Sequence, residues 1–200
     1  MKSLIDFESW WRVFLHPLTS VIQGELGKKS NTSTLIGIAA AAVIGLGLSW
    51  LVHLITGQSP QAYKGITSIW VAPDTLPPFA SWTIIALLGV ILGFFDFEIV
   101  LFIFARLLGG KGSFSAQSYA QSLFYAPLAV IQQVLAVTPV IGRPLFFLMA
   151  VYSLLPTTTS LKAAHGYSTW RAVITWLMPI VLNVVVVFVI VMELSSNAVR

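Results

Sequence analysis

The chain has 200 residues, 57% of them hydrophobic and only 9% charged, where a soluble domain carries about 25% charged residues. Too little polar surface is present to cover a water-facing globule, and the absence of cysteine excludes disulfides, thiolate metal sites and a cysteine nucleophile. The net charge of +4 reads as membrane topology, not as a nucleic-acid surface.

Residues 2–16 are predicted to form an amphipathic helix. At about 100° per residue, Leu4, Phe7, Trp10, Trp11, Phe14 and Leu15 share one side, and Lys2, Asp6, Ser9, Arg12 and His16 the other. This suits a helix in the membrane interface, anchored by Trp10, Trp11 and Arg12, or one whose apolar side packs on the bundle. Pro17 ends it, residues 18–26 continue as a shorter amphipathic segment, and 28–34 form a polar linker. No cleavable signal peptide is predicted, because Asp6, Glu8 and Glu25 precede a first apolar span that begins only near Leu35.

Five apolar windows follow, at 35–55, 81–104, 119–141, 144–161 and 172–192. About 20 helical residues cross a hydrocarbon layer of about 30 Å, and helices satisfy their own backbone there. The predicted fold is therefore all-α and polytopic. An interfacial segment (1–30) precedes one compact domain of five transmembrane helices (31–200). The first window is rich in small residues (Gly37, residues 39–42, Gly45 and Gly47). These either pack within the chain or meet a helix of another protomer. The proline-rich loop 56–80, with Trp70, follows. Gly142-Arg143 is expected to turn the third window directly into the fourth, and Thr157, Thr158 and Thr159 to repair the backbone after Pro156. With the N-terminus inside, eight of the 11 Lys and Arg residues fall on inner segments and three on outer ones. The positive-inside rule then predicts a cytoplasmic N-terminus and an outer C-terminus.

The sharpest candidates for chemistry are Asp96 and Glu98 in the second window. A charged residue at a span centre costs about 2.5–3.5 kcal/mol on insertion scales and marks function by default. Two positions apart on a helix, the acids cannot face the same way. Three readings stand. The acids carry protons or bind a cation; one is a structural partner for Gln132, Gln133 or Asn183 on neighbouring spans; or Glu98 lies at the interface near Arg106. Gln132, Gln133 and Asn183 read as interhelical glue. The run Gly109-Gly110-Lys111-Gly112-Ser113 lacks the spacing and setting of a phosphate-binding loop. Its glycines suit a tight turn, with Lys111 near anionic headgroups. No H-E-x-x-H or G-x-S-x-G occurs, and the histidines at 16, 53 and 165 are scattered. No catalytic, metal or cofactor site is expected.

The stretch from Phe104 through Gly109-Gly110-Lys111-Gly112-Ser113-Phe114, then Tyr125-Ala126-Pro127, then Lys162-Ala163-Ala164-His165-Gly166-Tyr167-Ser168 with Arg171-Ala172, resembles the Yip1 domain family of membrane proteins. The Asp-Leu-Tyr-Gly-Pro-type motif of some eukaryotic members is missing, and about 30 residues precede the first span, so prokaryotic members are the nearer likeness. The resemblance implies a five-helix bundle with a cytoplasmic N-terminus in a prokaryotic cytoplasmic membrane. Eukaryotic members are associated with vesicle traffic, small GTPases and oligomeric partners. Gly109, Gly110, Lys111, Gly112, Lys162, His165, Gly166 and Arg171 carry over as family positions on cytoplasmic loops, where recognition is expected. The leading expectation is a non-enzymatic membrane protein of Yip1 type that binds membrane-protein partners or organises lipid and membrane traffic, its partners being the lipid bilayer and other membrane proteins or itself, with no nucleic acid. The alternatives are a small transporter, channel or lipid-moving protein using Asp96 and Glu98, and thirdly an intramembrane enzyme.

Overall fold

The computed structural model describes residues 6–57 and 78–198; within the helices, the side chains of 78–86, 183, 184, 186, 187, 189–191 and 193–198 are outside the description. The expectations for most of loop 56–80, including Trp70, and for the side chain of Asn183 fall outside the described residues.

Every regular element among the described residues is helical. The order is α1 (Phe7–Leu15), α2 (Thr19–Glu25), a 3-10 turn (Leu26–Lys28), α3 (Asn31–Thr56), α4 (Pro78–Leu107), α5 (Phe114–Val137), α6 (Gly142–His165) and α7 (Thr169–Ala198). Among the described residues, four stretches are long and apolar enough to cross a membrane: Asn31–Thr56, Leu87–Leu107, Phe114–Val137 and Gly142–His165. In α7 the described apolar stretch, Thr169–Leu182, is shorter. The helices run past the apolar windows at most of their ends, because a helix continues into polar residues at the headgroups while hydropathy stops at the hydrocarbon edge. The expected 28–34 linker is thereby reduced to Lys29 and Ser30.

Helix α5 is the centre. Of its most apolar stretch, 61% is buried, against 39% for α3, 22% for α4 and 28% for α6. Its mean hydropathy is 1.4, against 2.3 and 2.4 for α3 and α4 and 1.3 for the less buried α6. A helix walled off from lipid by its neighbours can carry Gln117, Ser118, Gln121, Ser122 and Gln133, all buried. Helix α3 lies along α5, with Gly45 against Gln133 and Leu46 clustered with Val137. The small residues of the first window therefore serve packing within the chain, except Gly47, which faces open space. Phe94 of α4 packs on Tyr125 of α5, with ring centroids 4.9 Å apart.

The turn from α5 to α6 is Thr138–Ile141, not Gly142-Arg143, which already lie in α6. It is tight. Val140 takes a φ of 59°, and a Cβ on buried Gly142 would lie 2.2 Å from the Leu135 carbonyl oxygen. Beyond Pro156, the Thr157 and Thr158 hydroxyls each donate to the carbonyl four residues earlier, at 2.7 Å.

Helix α1 starts at Asp6, whose carboxylate accepts from the Ser9 backbone N–H (3.0 Å) and caps the first turn. It ends before Pro17, as expected. The expected two-sided division is only partly kept. Trp10, Val13 and Phe14 are buried in the bundle, while Phe7, Trp11 and Leu15 are exposed. The Trp10 ring lies against Gly37, where a Cβ would meet it at 3.3 Å, so Trp10 is a core residue and not a free interfacial anchor. Ser9 is buried as well and donates to Glu25 of α2 at 2.8 Å. Arg12 (3.2 Å) and Lys28 (2.7 Å) also bind the Glu25 carboxylate, and Arg12 pairs with Glu8. This clasp of charges from α1, α2 and the 3-10 turn leaves little for simple periodicity to reveal. Burial alone would raise the Asp6 pKa, but hydrogen bonds from Ser9 and Lys28 outweigh it and hold it at about 2. Lys28 is held above the ordinary lysine value by Glu25 and Asp6.

The hairpin gives a direct prediction. Gly142→Ala pushes a methyl against backbone that cannot swing away, so it should lower stability by about 1–3 kcal/mol. Gly47→Ala, in open space mid-helix, should leave stability unchanged or raise it by about 0.5–1 kcal/mol. Unfolding midpoints in detergent read both, and equal effects would refute the packing account.

Candidate functional site

The structure divides the acidic pair. Asp96 is exposed on the outer face of α4, while Glu98 points inward and is 1% exposed. The expectation of a pathway lined by both acids is corrected: the 200° turn between them puts only Glu98 inside. Its partner is neither Gln132 nor Gln133, and the Asn183 side chain lies outside the described residues. Gln117, at the start of α5, donates through Nε2 to the Glu98 Oε2 (2.8 Å) and to the Glu98 backbone carbonyl (3.0 Å). Arg106 does not reach it; that guanidinium donates to the Gly110 carbonyl (3.1 Å) and lies over the Phe102 ring.

The other end of the same amide reaches α6. Gln117 Oε1 lies 2.8 Å from Nε2 of His165. His165 Nδ1 accepts the backbone N–H of Gly112 at 3.1 Å. An accepting Nδ1 leaves the ring proton on Nε2, where it donates to Gln117. The polar line therefore runs Glu98–Gln117–His165–Gly112, from mid-span to the membrane surface, and each atom has the role its neighbour requires.

His165 thus corrects its assignment to a loop. It is the last residue of α6 and is buried, and Lys162 sits one turn earlier on the same helix. The loops are shorter than expected: only 108–113 and 166–168 lie between helices. Arg171 belongs to the first turn of α7. The imidazole stacks on Tyr167 (5.4 Å, 10° between planes). The glycine block fits this contact. Gly109 takes a φ of 84° that other residues adopt at a cost, and a Cβ on Gly112 would lie 2.2 Å from the Ala164 carbonyl oxygen. A Cβ on Gly110 would lie 2.6 Å from His165 Nδ1. Around the contact opens a cleft of about 550 Å³ lined by Gly109, Lys111, Gly166, Trp170 and Arg171, among others. Lys111 and Arg171 are both exposed.

Gln132 is half-buried and lines a second, smaller cavity that contains Glu98. Gln133 is buried, but its amide makes no hydrogen bond among the described residues; it packs on Gly45 instead of joining a polar site. Sequence reasoning missed Gln117 altogether. Its signal was a polar cluster, Gln117, Ser118, Gln121 and Ser122, at the head of an otherwise apolar window. Among the described residues, no group of three or more His, Cys, Asp or Glu is placed to hold a metal.

Replacing Gln117 with Leu strands the buried Glu98 carboxyl and the His165 N–H, at about 1–3 kcal/mol for each orphaned group. Gln117→Leu should therefore destabilise by about 3 kcal/mol, while Gln133→Leu should change stability by less than about 1 kcal/mol. Equal midpoints for the two variants in detergent would remove Gln117 from its central role.

The chain matches no protein-family model, no curated protein and no solved structure; its functional reading rests on the geometry of these residues.

Proposed function

We propose that the chain is a non-enzymatic integral membrane protein of the Yip1 type that recognises other membrane proteins, or a second copy of itself, at the cleft between loop 108–113 and the α6–α7 turn. The observation that carries this reading is the Gly112 N–H to His165 Nδ1 hydrogen bond at 3.1 Å. It joins two segments 53 residues apart and leaves Lys111 and Arg171 lining one opening. Two exposed cations with an indole beside them, Trp170, suit an anionic segment of a partner, through charge-assisted hydrogen bonds and apolar contact. Lys162, half-buried one turn away, adds to the same positive field.

In this reading α7 is the fifth span, the N-terminus and both loops are cytoplasmic, and the host is a prokaryotic cytoplasmic membrane. Helix α1 lies at the inner interface, with Trp11 toward the headgroups and Arg12 held in the charge clasp. The basic end faces the cytoplasm, as the positive-inside rule requires.

Topology is testable without background, since the sequence has no cysteine. Lys111→Cys should react with a membrane-impermeant maleimide only after permeabilisation, and Thr56→Cys should react in intact cells. The reverse pattern refutes the orientation.

Recognition is tested by placing a photoreactive benzophenone at Trp170, which is 67% exposed at the cleft, with Phe147, 68% exposed on the outer face of α6, as control. Discrete protein adducts are expected in native membranes from position 170 only, and they should disappear when Lys111→Glu and Arg171→Glu are combined. The same adducts from both positions, or lipid adducts alone, would overturn the reading.

A further inference from the structure

Behind Glu98, between α4, α5, α6 and α7, lies a cavity of about 150 Å³. Its polar wall is not fully used. Glu98 Oε1 and Gln121 Nε2 are buried and make no hydrogen bond among the described residues, and both residues, each 1% exposed, line the cavity. The hydroxyls of Ser153 and Thr157, which also line it, donate to backbone carbonyls at 2.6 and 2.7 Å. Their protons are committed, so toward the cavity they offer lone pairs. The wall therefore places a carboxyl oxygen and two hydroxyl oxygens beside the unpartnered Gln121 amide nitrogen, with the half-buried Gln132 amide also on the lining. Rings of Phe97, Phe124, Tyr125 and Trp176 make up much of the remainder. Phe97 and Ile180 at the rim are 39% and 45% exposed, so the cavity opens sideways, toward lipid in the membrane reading.

From this arrangement we infer that the cavity is a binding site for a small organic ammonium cation. A primary ammonium carries three N–H donors, matched by the Glu98, Ser153 and Thr157 oxygens on the wall, and its charge pairs with the Glu98 carboxyl. Aromatic faces attract such a cation, more strongly where water is excluded. A hard inorganic cation is the poorer occupant, since it asks for six or more oxygen ligands or keeps its own water. Bound there, the cation completes the carboxyl group that Gln117 holds from the other side. The site is separate from the surface cleft at Lys111 and Arg171.

The test is calorimetric titration of the full chain in detergent with n-butylammonium chloride, and with butan-1-ol as the neutral analogue of equal length. Saturable binding of butylammonium is expected in the parent, at least tenfold weaker in Glu98→Gln. It should be unchanged in Asp96→Asn, whose carboxyl lies on the outer face, and in Lys111→Ala. Butan-1-ol should bind at least tenfold more weakly than the cation. If Glu98→Gln loses the parent's elution volume or helical content, Gln121→Ala and Trp176→Leu replace it, each with at least a threefold loss expected. The inference is overturned by a parent that shows no saturable binding, by variants of the cavity wall that bind like the parent, or by an alcohol that binds as well as the ammonium.

Discussion

Gln117 uses both ends of one amide to join three helices. Its N–H groups hold the side chain and backbone of Glu98 on α4, and its oxygen takes the imidazole of His165 on α6. In water such a residue would be one of many and worth little. In hydrocarbon the alternative is an unsatisfied carboxyl and an unsatisfied ring nitrogen, so the geometry of α4, α5 and α6 at their cytoplasm-proposed end follows from the need to close this line. The glycine loop is shaped by the same constraint, because the line ends on its backbone at Gly112, and only a residue without a side chain lets the loop come so near α6.

Which regions are helical, and roughly where, was legible because lipid imposes a length and an apolar composition on anything that crosses it. Which face of each helix points inward was not. Lipid tails are as apolar as leucine, so burial gains little over exposure. The spans are apolar all round, with Leu92, Ile99 and Ile103 exposed on the same helix that buries Phe94 and Leu101. Where hydropathy is isotropic, small and polar residues mark the interior instead. That signal was present in α5 as its buried Gln117, Ser118, Gln121, Ser122 and Gln133; hydropathy alone does not carry it, since α6 at 1.3 is no more apolar yet only 28% buried.

The site was legible in pieces. Glu98 stood out by its charge, and the run 109–113 by its glycines. Their union was hidden, because it depends on side chains 19 and 48 residues apart meeting at Gln117, and one glutamine among several carries no mark of privilege. Windows of hydropathy also cut helices short, which moved Lys162 and His165 into a loop when they occupy the last turn of α6. The N-terminal tryptophans were misassigned in part for a related reason: periodicity groups Trp10 with Trp11, but Gly37 offers a seat to only one indole.

The central position of α5 has a consequence for biogenesis. As the ribosome delivers this helix, Glu98 has already been made, but the histidine that completes Gln117 lies 48 residues further along. At a synthesis rate of about 5–20 residues per second, that interval lasts about 2–10 s. During it both Glu98–Gln117 hydrogen bonds can form, while the Gln117 Oε1 still lacks its partner on α6.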